Sequence, residues 1–260
     1  VITLLTDFGH TDSFVGVMKG VIATIAPAIS LIDLTHEIPP QNIWKGSLEW
    51  RRSFPHFPKG TIHLGIVDPS VGTARRAIAV TLPSGFIVAP DNGLITGILQ
   101  LETPIAAVEL TNSDYWRTAK TSATFHGRDI FAPVAAHLAK GVALLDLGQE
   151  IDARSLIQLS LPEVMQKSET AWQGIVQDTD RFGNLVTNLP GSLVQGKSWR
   201  LEVGNHQIAG QLTYATAKSG EAIALVGSEN WIEVAIVNGN AWETLRLGLG
   251  TIVRLLILPQ

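Results

Sequence analysis

The chain has no cysteine among its 260 residues. Disulfide staples, thiolate nucleophiles and Cys-ligated zinc are therefore excluded. A reducing, cytoplasmic setting is the expectation that fits. An excess of one charge is lacking too: 19 Lys and Arg against 23 Asp and Glu leave a net charge of −4. The basic footprint that marks a nucleic-acid partner is missing. No apolar run approaches the roughly 18 residues that span a bilayer, so no membrane segment is expected. The sequence opens on Val1-Ile2-Thr3-Leu4-Leu5, without a basic flank or a cleavage-like site, and reads as a strand rather than a signal peptide. What is present is core material: 45% apolar residues against 16% charged, spread over a length that suits one large or two modest domains.

Short runs rich in Val, Ile and Leu and bounded by turn residues predict strands at Val1–Thr6, Ser30–Leu34, Thr61–Val67, Ala77–Leu82 and Phe86–Ala89. Between the first two, Phe14, Val17, Met18, Val21, Ile22 and Ile25 recur at helical spacing. Asp12 or Ser13 can cap that helix, Pro27 stops it, and Gly16 and Gly20 form a small-residue stripe expected to lie close to a sheet. A second helix is expected over Asp129–Ala139, with Asp129 as N-cap, Pro133 in the first turn and Gly141 past the end. Strand–helix alternation predicts an α/β domain over 1–165, a mostly parallel sheet covered by helices. A polar stretch over 162–169 reads as a boundary. Beyond it, short alternating runs at Gly174–Gln177, Leu185–Leu189, Trp199–Val203, Ile223–Val226, Trp231–Val237 and Thr251–Leu258 predict a small antiparallel β-barrel over 172–260.

Two familiar chemistries are unsupported. Gly191–Ser198 satisfies GxxxxGKS, but a phosphate-binding loop must open a helix, and the residues that follow, Trp199–Val203, alternate as a strand. The seven histidines (10, 36, 56, 63, 126, 137 and 206) show no ligand spacing, so no metal site is expected.

Ligands of open α/β sheets bind beyond the carboxyl ends of the strands. Asp7, Asp33, Asp68 and Asp91 sit at or just after predicted strand ends. A carboxylate at Asp7 can accept both hydroxyls of a ribose, although for each of the four a turn or capping role is the commoner one. Asp68 begins a tight Pro- and Gly-shaped segment that ends in Arg75-Arg76. His126 lies at the start of the second predicted helix, among N–H groups that favour anions. Asp180–Asn184 joins two strand-like runs as a hairpin turn, and Ser228-Glu229-Asn230 is another polar turn. Spacing alone reaches an α/β enzyme of unknown substrate.

The segments Leu5–Gly9, Asp33–His36, Asp68–Arg76, Ala89–Leu94, Phe125–Pro133 and Asp180–Asn188, in this order, resemble the S-adenosyl-L-methionine hydroxide adenosyltransferases, relatives of fluorinase and chlorinase. The resemblance runs nearly end to end, and Asp68–Arg76 and Phe125–Asp129 are its most diagnostic parts. It implies hydrolysis of S-adenosyl-L-methionine to adenosine and L-methionine by in-line attack of water at the ribose C5′, with no metal or cofactor. It also implies an α/β domain, a β-barrel, and a homotrimer with sites between subunits. The catalytic set near the attacking water falls on Asp68, Arg75 and His126, with Arg76 as the fallback arginine. Asp7 would hold the ribose diol and Asp12 the methionine ammonium. Asp180 and Ser228 would serve the amino-acid end, while Phe125, Phe182 and Asn184 would surround adenosine, with the Asn238–Ala241 backbone at the adenine edge. The halogenases carry Tyr where this chain has Asp68, and fluorinase has Ser at Gly127 and Arg at Glu229. An anionic Asp68 would repel halide but can orient water or take its proton. Either Asp68 or His126 can be the base. The alternatives are a halide-dependent adenosyl transferase and a non-catalytic adenosine-binding protein.

Overall fold

Ile2–Thr6 (β1) is buried at all five positions, the mark of a strand covered on both faces. In the computed structural model, which describes residues 1–259, it lies inside a seven-stranded sheet. It is followed by α1 (Phe14–Ile25), β2 (Leu31–Thr35), α2 (Ile43–Ser53), β3 (Thr61–Ile66), β4 (Ala77–Thr81) and β5 (Gly85–Pro90). A single turn α3 (Thr96–Leu99), then β6 (Ala106–Glu109), α4 (Ala132–Ala139) and β7 (Gln149–Ile151) complete the sheet and its covering helices. The strand order is β2-β1-β3-β5-β4-β6-β7. The first four are parallel, and β4, β6 and β7 continue the sheet antiparallel. The chain divides into two compact units, Val1–Leu159 and Ser160 onward.

Alternation along the strands sorts the first unit's core into two layers. Leu4, Leu64, Ala79 and Val88 pack under Met18 and Ile22 of α1 and Val134 and Ala135 of α4. Leu5, Ile78, Val80 and Ile87 face Trp50 of α2 and Ile98 of α3. Trp50 is fully buried, and its indole packs on Gly65 of β3, where an added Cβ would fall well inside the ring's contact distance.

Every strand expected in this unit is present, and four features differ from expectation. The Gly16–Gly20 stripe of α1 faces outward, with nothing within 4 Å of either position. Val15, Met18 and Ile22 take the buried face instead, because bulky apolar side chains gain more from burial than glycines do. Ser13 occupies the N-cap of α1 without a side-chain bond. The second helix begins earlier than expected, as a π turn over Gly127–Phe131 that runs into α4. Asp129 is therefore no N-cap. Its carboxylate is buried and held by Arg117, Arg128 and the Ser122 amide, partners stronger than a cap's own N–H groups. Helix α2 was not foreseen, since it buries only Gly46, Ser47, Leu48 and Trp50 among charged neighbours.

The second unit holds β8 (Met165–Ser168), β9 (Ala171–Thr179), β10 (Leu185–Pro190), β11 (Trp199–Val203) and β12 (His206–Ala209). After these come β13 (Ala222–Val226), β14 (Trp231–Ile236), α5 (Ala241–Leu245) and β15 (Ile252–Ile257). All pairings are antiparallel, in the order β12-β11-β15-β9-β10-β14-β13. A bridge from Gly210 to Ala224 joins the two edges, so the sheet is a nearly closed barrel around Leu185, Leu201, Val234 and Leu255. The polar stretch 162–169 contains β8, paired with β9 inside this unit. The Gly191–Ser198 loop is a 3₁₀ turn leading into strand β11. Lys197 Nζ donates to Leu193 O at 3.0 Å and lies over the Trp172 ring, so no phosphate cradle forms. Among the described residues, no helix is long and apolar enough to cross a membrane, and no three His, Asp or Glu side chains group as metal ligands.

Candidate active site

The loop after β3 folds back on itself through Val71 N–H to Asp68 O and Thr73 N–H to Ser70 O. Its Gly72 has φ +78° and rests against the carbonyl of Ala123, where any Cβ would collide. This close approach brings the 68–76 loop against the segment that carries Phe125 and His126. Arg75 Nε donates to both Asp68 oxygens at 3.0 Å, and its Nη2 donates to Oδ2 at 2.5 Å. Ser70 Oγ donates to Oδ1 at 3.3 Å. The Arg75 and Asp68 side chains are only 7% and 5% exposed, and the guanidinium lies over the Phe131 ring. From the far side, Arg75 Nη2 contacts His126 Nδ1 at 3.0 Å. Asp68, Arg75 and His126, separated by as many as 58 positions, thus form one hydrogen-bonded cluster.

The tautomer of His126 follows. A guanidinium has donors only, so His126 Nδ1 must be the bare acceptor nitrogen and the proton sits on Nε2. Burial, then the Arg75 charge, push the imidazole pKa below its ordinary value, while Asp68 and Asp129 oppose them. His126 is neutral at pH 7.

The two arginines have separate partners. Arg76 Nε and Nη2 bind Asp91 Oδ2, and its Nη1 and Nη2 reach Ser155. Asp91 also accepts the Ile157 amide, so it clamps structure rather than facing a ligand.

Asp7 closes β1 partly exposed, its Oδ2 accepting the Gln41 amide at 2.7 Å. Asp12 is exposed in the next turn. Phe125 stacks edge-on to Phe8 and Phe14, with centroids 6.0 and 5.2 Å away, and Arg128 lies over its ring. Asp33 binds Lys19 at 2.6 Å and stands 3.1 Å from His36.

In the second unit, Asp180 is engaged by its own turn. Oδ1 accepts the amides of Phe182 and Asn184, and Oδ2 accepts Asn184 Nδ2 at 2.8 Å. Phe182 stands 76% exposed. A recess of about 400 Å³ is lined by Phe182, Asn184, Tyr214, Ile236, Asn238 and Gly239. Its aromatic walls and Asn184 amide suit a flat heteroaromatic ring. Tyr214, whose hydroxyl accepts from Asn184 at 3.3 Å, was missed, since nothing marks a lone tyrosine in a loop. Phe8, Phe14 and Phe131 were missed as site neighbours, since apolar aromatics in or beside a helical pattern read as core. Ser228 is exposed in its turn, bonded at 3.4 Å to Glu229. A larger recess, about 740 Å³, lies around Gly191–Trp199 and holds none of these groups.

Comparison with known proteins agrees with the geometry. The profile of the SAM hydroxide adenosyltransferase N-terminal domain matches residues 2–148, and that of its C-terminal domain residues 174–254. A curated (R)-S-adenosyl-L-methionine hydrolase of Salinispora arenicola is 38% identical over 257 residues, 97% of this chain and 96% of the relative. Another of the same name from Thermus thermophilus is 39% identical over 258 residues, covering 97% and 98%. The crystal structure of an uncharacterized conserved protein from Thermotoga maritima superposes with TM-score 0.92 at 33% identity, covering 98% of this chain and all of that one. With both domain profiles matched and full-length relatives well above 30% identity, the chain belongs to the SAM hydroxide adenosyltransferase family.

Proposed function

We propose that the chain hydrolyses S-adenosyl-L-methionine at the ribose C5′ carbon, releasing adenosine and L-methionine. The observation that carries the reading is the buried Asp68–Arg75–His126 cluster, a carboxylate and a neutral imidazole each bonded to one fixed guanidinium. The names of the full-length relatives support it.

The substrate carries a sulfonium, and its leaving group is a neutral thioether, so departure needs neither an acid nor a metal. The demanding part is an oxygen nucleophile held in line with the C5′–S bond, and rigid placement of that kind supplies several kcal/mol or more. In this reading water attacks C5′, the C5′–O bond forms, and the C5′–S electron pair leaves with sulfur. With Nδ1 engaged by Arg75 and Nε2 protonated, His126 has no free lone pair. It donates to the water oxygen, and Asp68 accepts the proton that oxygen sheds. Arg75 steadies the carboxylate and the developing hydroxide character. Positive charge on sulfur fades along the reaction, so the apolar wall of Phe125, Phe8 and Phe14 favours the transition state over the charged ground state. Asp7 takes the ribose diol and Asp12 the ammonium. Asn184 and Phe182 take the nucleoside, and Asp180 and Ser228 serve the amino-acid end.

The test is turnover in ¹⁸O-labelled water with chloride present. Label in the adenosine 5′-hydroxyl is expected. 5′-Chloro-5′-deoxyadenosine as the main product would replace hydrolysis with halide transfer, and calorimetric binding without product would leave a binding protein. The same reading includes a cytoplasmic homotrimer that works without metal or cofactor. A solution mass of three 28.0 kDa chains and activity unchanged by a chelator are the expected measurements.

A further inference from the structure

Asp7 is flanked by a polar chain, buried at Thr6 and His36 and reaching the surface at Asp33, for which the reaction has no evident use. The β1–β2 register runs Leu4 to Asp33 and then Leu5 to Thr35, so Leu34 is a bulge residue and His36 arrives level with Thr6. His36 is 1% exposed. Its Nδ1 lies 2.8 Å from Thr6 Oγ1, which also accepts the Phe8 amide at 3.2 Å, and its carbonyl accepts the Gly9 amide at 2.8 Å. One histidine therefore grips the Thr6–Gly9 turn by side chain and main chain together, with Asp7 in the middle. His36 Nε2 stands 3.1 Å from Asp33 Oδ1, off the N–H axis, and Asp33 Oδ2 binds Lys19 at 2.6 Å. The Thr6 hydroxyl, which accepts from Phe8, has its own proton to donate to Nδ1, and in that arrangement the Nε2 proton faces Asp33. Burial first, reinforced by His10 and Lys19 and opposed by Asp33, keeps the ring neutral.

We infer that Thr6, His36 and Asp33 form a positioning relay that sets the Asp7 carboxylate and so gives the protein its preference for an intact ribose 2′,3′-diol. The inference rests on the proposed function for the ligand's identity, but not on turnover. A buried hydroxyl and a buried imidazole are costly to desolvate unless paired, and here they pair with each other and lead to the exposed Asp33 carboxylate 3.1 Å from Nε2. A strand end that needed only stability could be held by an apolar pair. The polar series fixes direction as well as position, which a carboxylate serving two hydroxyls at once requires.

Thr6→Val removes the hydroxyl while keeping the shape, and Thr6→Ser restores it. For the full-length protein, adenosine and 2′,3′-dideoxyadenosine are titrated calorimetrically, and SAM turnover is measured in parallel. Thr6→Val is expected to weaken adenosine about tenfold and raise the KM for SAM alike, with kcat within about threefold. Dideoxyadenosine affinity stays as in wild type, and Thr6→Ser behaves as wild type. Asp33→Asn, on the surface side of the relay, is expected to act in the same direction at about threefold, and it serves if Thr6→Val does not fold. Equal loss for both nucleosides, or no loss, overturns the relay and leaves Thr6 a purely structural residue. If wild type binds adenosine with diol preference yet releases no product, the hydrolase reading fails while the relay is still decided by binding. A wild type that ignores the diol overturns the relay outright.

Discussion

His63 is expected to make the first unit acid-labile. It sits on β3 opposite Thr3 of β1, with Nδ1 2.9 Å from the Thr3 hydroxyl and the rings of Phe54 and Phe57 at 4.8 and 5.7 Å. The residue is 2% exposed, and burial lowers its pKa to about 4. As pH falls, the unfolded chain takes up its proton near 6.5 while the folded chain resists to about 4. Across that window the unfolded state binds more protons, so stability is lost as pH drops and is intact above it. At 1.36 kcal/mol per tenfold, the gap is worth about 3 kcal/mol, most of it gone by pH 4.5, against a total of roughly 5–15 kcal/mol for a domain. The perturbation is His63→Asn, whose amide keeps a partner for Thr3 but does not titrate. Urea unfolding at pH 7.5 and 4.5, read by hydrogen exchange in β1 and β3, follows the first unit by itself. Wild type is expected to lose about 2.5 kcal/mol more than the variant between the two pH values. His36, His126 and His137, also shifted down by burial, cancel in the comparison. Parallel losses in the two proteins would refute the reasoning.

Asp68→Asn is expected to lower kcat about 10³-fold, while His126→Gln, which can still accept from Arg75 and donate to water, loses about tenfold. Equal loss of rate in the two variants, measured by adenosine release, would return the base to His126. Gly72→Ala, forcing an L side chain to φ +78° against the Ala123 carbonyl, is expected to cut kcat/KM about 10²-fold and to cost about 1–3 kcal/mol in thermal unfolding. Gly65→Ala drives a methyl into the Trp50 ring and is expected to cost about 1–3 kcal/mol in thermal unfolding. Asp129→Asn leaves Arg117 and Arg128 without their carboxylate. Because both arginines are partly exposed, the expected loss is about 2 kcal/mol by urea titration rather than that of a fully buried pair.

Strands were legible because their signal is local: a few Val, Ile and Leu between turn residues identified β1, β3 and β4 to within a residue. The same logic missed α2, whose buried face holds Gly46 and Ser47 and so carries little hydrophobic contrast. It also misread α1, where spacing alone could not tell whether the glycine stripe or the Met18–Ile22 stripe would face the sheet. Asp129 shows a different limit. Its position invited an N-cap reading, yet the deciding partner, Arg117, is twelve residues back and joined only by the folded loop. The Asp68–Arg75–His126 cluster was legible as a set of candidates and through family resemblance. Its hydrogen bonds, and hence the tautomer of His126, exist only once Gly72 lets two loops touch.

Sheet topology explains why one pair of adjacent arginines can serve both chemistry and architecture. The order β3-β5-β4 places β5 between two strands joined by the 68–76 loop, so that loop must cross the carboxyl end of β5, where Asp91 lies. Arg75 and Arg76 stand where the loop becomes strand, and successive side chains of an extended chain point to opposite sides. One therefore turns back to Asp68 and His126, and the other turns to Asp91 and Ser155. The Arg76 clamp pins the far end of the loop to Asp91 at the end of β5 and to Ser155. Arg75 inherits that rigidity one residue away. The Asp68–Arg75–His126 cluster is thus anchored at Asp68, where parallel β3 ends, and at Arg76, where antiparallel β4 begins, and the mixed sheet is what makes both anchors available to a nine-residue loop.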